Sequence, residues 1–330
     1  MFGIYRAILA VFVVIEHLGN APLIGNYSVF GFYILSGYLM TRIMHKTYGY
    51  NCNGVIKYLS NRFLRIYPLY WLSIFFSILL LLLISKNIVT SISQSIFFPH
   101  DLEGILRNIF IIFSINTEPR LTPPSWALTV ELFYYLLIAF GCSKTRNITI
   151  AWFLLSVFYT IYLIYNKSSF SYRYFTILSA SLPFSLGAIL FFVPPRQEES
   201  LALKVIITVL LIVFNYFFSL HENIGPGFGF YINLFLFSYL ISVLIKIKND
   251  RILKYDVFWG NLSYPVYLLH YQCGVVVYFI FSFMDIRTHK GEFLFCAASI
   301  FLCLFISYLT SIILENRIEF VRSKIRPHRI

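Results

Sequence analysis

Arg6 and His17 are the residues whose types and spacing most directly suggest chemistry in this sequence. They lie eleven residues apart on the first apolar segment. In an α-helix, eleven residues make three turns to within about 20°, so the two side chains share one face and lie about 16 Å apart along the axis. An imidazole gains or loses a proton near neutral pH, and ionisable side chains inside a membrane usually serve a function. The pair therefore indicates a titratable site held within an apolar layer.

The composition is that of an integral membrane protein. Of 330 residues, 59% are hydrophobic, 20% are aromatic and only 12% are charged, whereas roughly 25% charged is typical of soluble domains. The sequence therefore predicts an all-α membrane protein of about ten transmembrane helices, with a single domain, 1–330, and no fused extracytoplasmic domain. The predicted spans are 4–20, 27–44, 67–85, 126–141, 148–165, 174–193, 202–220, 227–245, 259–283 and 292–314.

The stretch 103–125 decides the topology, because it is mostly apolar but short. If it dips into one side, 19 Lys and Arg residues lie on the inner side and 7 on the outer side; if it crosses, the split becomes 11 and 15. The positive-inside rule favours the first arrangement. We therefore predict one short re-entrant or interfacial hairpin, cytoplasmic N- and C-termini, and a multi-pass protein of the cell inner (plasma) membrane.

Charge and cysteine content argue against several other classes of protein. The formal net charge of +12 reflects orientation in the membrane rather than nucleic-acid binding, because the basic residues lie in short loops between apolar segments. The five cysteines are odd in number and contain no C-x-x-C pair, so they indicate neither a disulfide framework nor a zinc site. We predict no metal and no bound cofactor.

Two further ionisable residues reach the depth of His17. Glu131 lies six residues into a helix that begins at Ser125 on the outer side, and so descends about 9 Å. His270 lies about eleven residues into a helix that rises from the inner side. Three ionisable groups on three helices thus converge at one level. They form either a reactive site or three separate structural hydrogen bonds within the bundle.

Five motifs stand in order along the chain. They are Arg6-x10-His17, Val29-Phe-Gly-Phe-Tyr-Ile-Leu-Ser-Gly-Tyr-Leu39, Arg62-Phe-Leu-Arg65-Ile-Tyr-Pro, Ser125-Trp-Ala-Leu-Thr-Val-Glu131 and Leu262-Ser-Tyr-Pro-Val-Tyr-Leu-Leu-His270. Together they resemble the membrane-bound acyltransferase family 3 over essentially the whole chain. Tyr33 and Tyr38 stand where Phe is more typical of that family, and Ala127 replaces a Ser, which removes one hydroxyl.

The resemblance implies an O-acyltransferase, an enzyme that transfers an acyl group, other than an aminoacyl group, to a hydroxyl. The donor substrate would be cytoplasmic acyl-CoA, most often acetyl-CoA. The acceptor would be a hydroxyl of a cell-surface or lipid-linked carbohydrate such as lipopolysaccharide O-antigen or exopolysaccharide. His17 is our candidate general base for that hydroxyl. Glu131 is the candidate to orient the imidazole or neutralise an imidazolium, as a carboxylate does in a triad, and Glu16 is a competing partner.

Arg62 and Arg65 share one helical face near the inner surface and suit the phosphates of coenzyme A, because guanidinium groups bind phosphate bidentately. Arg6 would extend this acyl-CoA site or reach toward lipid headgroups. The alternative is that all three anchor the protein to anionic lipid. The candidates to line the active site or admit the acceptor are Ser36, Ser125, Trp126 and His270.

Several alternatives stay open from the sequence. His17 activates the acceptor directly or first carries the acyl group as an acyl-imidazole. The protein transfers the acyl group alone or hands it to a separate extracytoplasmic transferase, as an acyl-group translocator. A transporter or flippase of lipid-linked saccharides would also explain intramembrane His and Glu residues as a proton relay.

Overall fold

The computed structural model describes residues 1–113, 119–193, 200–247 and 250–326, and within these ranges the chain is helical with no strand. The helices are α1 (Phe2–Leu18), α2 (Ile24–Ile43), α3 (Cys52–Leu83), α4 (Lys86–Ile92), α5 (Leu102–Phe110), α6 (Ser125–Ala139), α7 (Arg146–Tyr165), α8 (Phe170–Phe175), α9 (Ser181–Phe192), α10 (Leu201–His221), α11 (Phe230–Leu244), α12 (Asp250–Phe283), α13 (Phe293–Thr310) and α14 (Asn316–Ile325).

The all-helical prediction is confirmed for the described part of the chain. Among the described residues, six helices are long and apolar enough to cross a membrane: Cys52–Leu83, Arg146–Tyr165, Leu201–His221, Gly225–Leu244, Ile252–Phe283 and Phe293–Ile325. Two apolar helices, Ser125–Ala139 and Ile177–Phe192, are shorter. Each of the ten predicted spans overlaps a helix. The count of ten spans and the cytoplasmic location of both termini stay predictions.

Close packing of α1 against α12 lies at the centre of the bundle. The two helices run in the same direction, with Gly3 beside Gly260 at one end and Leu18 beside Gly274 at the other. A Cβ added to Gly3 would overlap the carbonyl oxygen of Asp256. Asp256 also accepts a hydrogen bond from the backbone N–H of Ile4 over 3.0 Å, which satisfies one of the free donors at the start of α1. The register of α1 on α12 is therefore fixed near the first turn of α1.

The predicted hairpin at 103–125 packs both of its described arms on α3. On the first arm, the Tyr70 hydroxyl donates to the carbonyl oxygen of Asn108 over 2.6 Å, and the Trp71 indole donates to that of Ile109 over 3.1 Å. On the return, the Ser73 and Thr122 hydroxyls lie 2.7 Å apart. Residues 114–118, between the arms, lie outside the described part of the chain. The depth of this hairpin in the membrane stays a prediction.

The contact at Gly3 yields a stability test. We expect Gly3→Ala to lower the free energy of unfolding by about 1–3 kcal/mol, because a methyl group must displace backbone atoms of α12. The matched control is Ser282→Ala, an exposed position near the end of α12 where the change removes only a hydroxyl. Thermal unfolding of the purified protein in detergent compares the two variants. Equal thermal stability of both would contradict the close packing of α1 on α12.

Candidate active site

A cavity of about 880 Å³, including its open mouth, lies between α1, α2, α3, α6 and α12. Most of its wall is aliphatic or aromatic. The polar side chains in the lining are Arg6, Tyr33, Ser36, Arg62, Arg65, Glu131, Tyr135, Ser263, Tyr264 and Tyr267.

Three guanidinium groups line this cavity, and they differ in their hydrogen-bond partners. Arg65 forms an ion pair with Glu315 over 2.5 Å, and both side chains are largely buried. Arg62 instead donates to the neutral Oδ1 of Asn61 over 2.8 Å. The Nε atoms of Arg6 and Arg62 are buried and have no hydrogen-bond partner among the described residues. Since buried donors are nearly always paired, these two are available to an anionic ligand.

Glu131 belongs to the arginine part of the cavity. The Ser36 hydroxyl donates to its Oε1 over 2.9 Å, and Arg6 and Arg62 lie within electrostatic range of the carboxylate. In the described part of the chain, Glu131 makes no hydrogen bond with a histidine. Its carboxylate therefore balances part of the positive charge of the cavity.

His17 and His270 form a direct pair. Nδ1 of His17 lies 2.8 Å from Nε2 of His270, and Nδ1 of His270 lies 2.8 Å from the backbone carbonyl oxygen of Tyr267. A carbonyl oxygen only accepts, so Nδ1 of His270 carries a proton and Nε2 of a neutral His270 is the acceptor. His17 then donates from Nδ1, which leaves a lone pair on its Nε2. The arrangement selects the His17 tautomer that can take a proton.

The two rings differ in access. His270 is fully buried, whereas His17 is half-buried. The Tyr271 ring packs against His17, with the ring centroids 4.9 Å apart. His17 is thus the member of the pair that a second molecule can approach.

Sequence comparison decides the family. A family model described as an acyltransferase domain matches residues 4–312, which includes every residue of the cavity and of the histidine pair. The chain belongs to the membrane-bound acyltransferase family 3. No curated protein and no solved structure gives a significant match. The predicted family is confirmed, and membership makes the protein a membrane acyltransferase.

In this acyltransferase, the predicted site residues fall into two groups. Arg6, Arg62, Arg65, Glu131 and Ser36 line the cavity, whereas His17 and His270 do not. Tyr267 joins the groups, because its side chain lines the cavity and its carbonyl oxygen holds His270.

The remaining predicted residues lie at the start of α6 or next to His17. Ser125 is buried at the first turn of α6. The Trp126 ring packs against those of Tyr174 and Phe175. Neither Ser125 nor Trp126 lines the cavity. Glu16 accepts hydrogen bonds from the backbone N–H groups of Gly25 and Asn26, so its carboxylate caps α2.

Sequence reasoning missed three residues of this acyltransferase site. Tyr267 lies three residues before His270, hence on the same helical face, and that spacing could have identified it. Glu315 lies 250 residues after Arg65 in the sequence, and only the fold brings the two side chains together. Asn61 directly precedes Arg62 in the sequence. Its Oδ1 also accepts hydrogen bonds from Nε and Nη2 of Arg322 on α14, over 3.2 and 3.1 Å. This shared role depends on the position of α14, which the sequence does not indicate.

The Arg65–Glu315 ion pair predicts a large loss of stability when it is broken. We expect Glu315→Gln to lower the free energy of unfolding by about 3–5 kcal/mol, because it leaves a buried guanidinium without its counter-charge. The matched control is Glu103→Gln, since Glu103 is mostly exposed in its ion pair with Arg107, and we expect a change of about 1 kcal/mol or less. Thermal unfolding in detergent measures both. Equal losses would contradict the structural role of Glu315.

The histidine pair predicts a defined tautomer. With ¹⁵N-labelled histidine, the spectrum of the wild-type protein should contain a His17 ring with a protonated Nδ1 and an unprotonated Nε2, assigned by its disappearance in His17→Gln. His270→Phe removes the acceptor of the Nδ1 proton, so we expect this preference to disappear. A protonated Nε2 on neutral His17 in the wild-type protein would refute the proposed direction of the hydrogen bonds.

Proposed function

We propose that this protein is an O-acyltransferase of the cell inner membrane that moves an acyl group, in the simplest case acetyl, from cytoplasmic acyl-CoA to a carbohydrate hydroxyl. The acceptor is a cell-surface or lipid-linked glycan such as O-antigen or exopolysaccharide. The observation that carries the proposal is the cavity itself. It has buried, unpartnered arginine donors in its wall and reaches Tyr267, whose backbone holds the histidine pair.

The arginine side of the cavity suits the phosphates of the donor. Arg62 and Arg6 each keep a buried Nε–H that no described residue accepts, and guanidinium groups bind phosphate oxygens with two parallel hydrogen bonds. The largely apolar wall that follows suits the uncharged remainder of acyl-CoA. In this arrangement, the thioester lies toward Tyr267 and the phosphates lie toward α3.

The histidine pair suits the transfer step. Nε2 of His17 takes the proton of the acceptor hydroxyl as its oxygen attacks the thioester carbonyl carbon. The carbon–sulfur bond breaks, and the proton passes from His17 to the departing thiolate of coenzyme A. His270 orients His17 through the hydrogen bond to Nδ1, and the Tyr267 carbonyl orients His270 in turn. His270 thereby takes the orienting role that the sequence suggested for Glu131.

An acyl-histidine intermediate is the second course of the same reaction. Nε2 of His17 would then attack the thioester, the carbon–sulfur bond would break, and coenzyme A would leave as its thiolate. The acceptor hydroxyl would attack the acyl carbon, the carbon–nitrogen bond to Nε2 would break, and the proton of the hydroxyl would balance the one taken up by the thiolate. Both courses need the same lone pair on Nε2. They differ in whether an acyl group stays on the protein when the acceptor is absent.

Purified protein in lipid nanodiscs, with radiolabelled acetyl-CoA and a glycan extract of the host envelope, tests the proposal. We expect His17→Ala to lower transfer by about a hundredfold to ten-thousandfold, the usual contribution of a general base. Arg62→Gln should raise KM for acetyl-CoA by about tenfold or more and change kcat little. The matched control is His221→Ala, because His221 is exposed and pairs only with its neighbour Glu222.

The outcomes separate the candidate functions. Label that stays on the wild-type protein without glycan, and not on His17→Ala, indicates the acyl-histidine course. A retained label that never reaches a glycan indicates an acyl-group translocator. No transfer by the wild-type protein, together with normal surface acylation by His17→Ala in cells, would contradict the proposed enzyme. Mass spectrometry of the surface glycans gives the cellular result as a gain of one acyl group.

A further inference from the structure

Arg120 is a buried cation that the reaction described above does not use. Its side chain is 7% exposed, and its Nε has no hydrogen-bond partner among the described residues. Among those residues, it also makes no ion pair with a carboxylate. Burying a charge without a partner is expensive, so such a group usually faces a ligand or a counter-charge.

The backbone around Arg120 is held in place on both sides. The N–H of Arg120 donates to the carbonyl oxygen of Ser95 over 3.0 Å. The Asn108 side chain donates to the carbonyl oxygen of Pro119 over 2.9 Å and accepts from the N–H of Leu121 over 3.0 Å. These bonds fix the position of Arg120 without involving its guanidinium group. The guanidinium group is therefore free to serve a ligand.

Arg120 lies on the segment that leads to Pro124, and the Tyr267 hydroxyl donates to the carbonyl oxygen of Pro124 over 3.0 Å. The charge of Arg120 also acts on the hydroxyls of Tyr267 and Tyr271. The Tyr267 carbonyl holds His270, and the Tyr271 ring packs against His17. We call His17, His270, Tyr271, Arg120 and Lys290 the outer cluster.

Lys290 adds a second positive charge to the outer cluster. Its Nζ donates to the carbonyl oxygen of Ile92 over 2.7 Å. The N–H of the next residue, Gly291, donates to the carbonyl oxygen of Leu18 over 3.1 Å, which places Lys290 beside the end of α1 that carries His17. Glu16 lies within electrostatic range of Tyr271, but two backbone N–H groups of α2 already bind its carboxylate. The outer cluster is thus a positively charged site in which the accessible ring of His17 is the reactive group.

We propose that the outer cluster binds an acceptor that carries an acidic group, a sugar carboxylate or phosphate. Arg120 binds this group in the buried part of the cluster and Lys290 binds it at the exposed mouth, and a hydroxyl of the same sugar lies beside Nε2 of His17. The inference rests on the proposed acyl transfer, because it names the class of acceptor. It assigns to the acceptor side an anion site separate from the arginines of the cavity.

Thermal unfolding of the full chain in detergent, at constant ionic strength, tests this site. The probes are sodium D-glucuronate, D-glucose 6-phosphate and the neutral methyl α-D-glucoside. We expect at least one of the two anionic sugars, but not methyl glucoside, to raise the Tm of the wild-type protein saturably. Glucuronate indicates a carboxylate site and glucose 6-phosphate a phosphate site, and either result supports the proposal.

Variants locate the bound anion. Arg120→Gln should raise the half-saturating concentration by about tenfold to a hundredfold, since a hydrogen bond to a charged group is lost. Lys290→Gln, at an exposed position, should raise it by about twofold to fivefold, and tests the site even if Arg120→Gln does not fold. The matched control is Arg107→Gln on the same hairpin, whose side chain pairs with Glu103; it should leave the value unchanged.

Three results would overturn the proposal: no Tm shift of the wild-type protein with either anionic sugar, an unchanged half-saturation in the variants, or a shift that disappears only in Arg62→Gln. Coenzyme A on the same samples separates this proposal from the proposed function. Its stabilisation should be lost in Arg62→Gln and kept in Arg120→Gln. Anionic-sugar binding without any acyl transfer would count against the proposed function alone, and acyl transfer without such binding against the anion site alone.

Discussion

The close parallel packing of α1 on α12 is the constraint on which the rest of the structure depends. Gly3 and Gly260 let the two backbones touch near the first turn of α1, and Asp256 holds the start of α1. From that point the register places His17 beside His270. A slip of one residue would rotate each side chain of α1 by about 100°. The histidine pair and the position of Arg6 in the cavity wall would then be lost together.

This packing separates two kinds of polar chemistry along one helix. Arg6 lies with the other arginines and Glu131, while His17 lies about three turns away, paired with His270 and packed against the Tyr271 ring. Tyr267 stands between the two, since its side chain lines the cavity and its backbone holds His270. An acyl donor that is charged at one end and reactive at the other would match this separation of the arginines from the histidine pair.

The sequence predicts the helices and the shared face of Arg6 and His17 because both follow from a regular period. It predicts the common depth of His17, Glu131 and His270 from counting residues along each helix. Depth does not fix the rotation of a helix about its own axis, however. In the structure His270 turns toward His17, whereas Glu131 turns toward Ser36 and the arginines. Rotation depends on the packing of neighbouring helices, which residue periodicity in one segment does not determine.

The sequence predicts a hairpin at 103–125, but it does not predict how the hairpin packs. Its position on α3 is set by side-chain bonds to backbone atoms, such as those of Tyr70 and Asn108, and these follow no period. Arg120 stands in that irregular stretch, between Pro119 and Leu121. No periodic pattern in the sequence indicates that such an arginine is buried. Its burial follows from the way the hairpin packs, which only the structure shows.

The arginines of the cavity differ in what a phosphate would gain from them. Glu315 already neutralises Arg65, so an anion near Arg65 must also face that carboxylate. Arg62 and Arg322 both donate to the neutral oxygen of Asn61, and Arg322 also forms an ion pair with Glu319 over 2.7 Å. Among the described residues, Arg62 makes no ion pair with a carboxylate, so an anion there forms new hydrogen bonds without displacing one. The binding energy of a phosphate should therefore concentrate at Arg62, while Arg65 and Glu315 fix the end of the last long helix against α3.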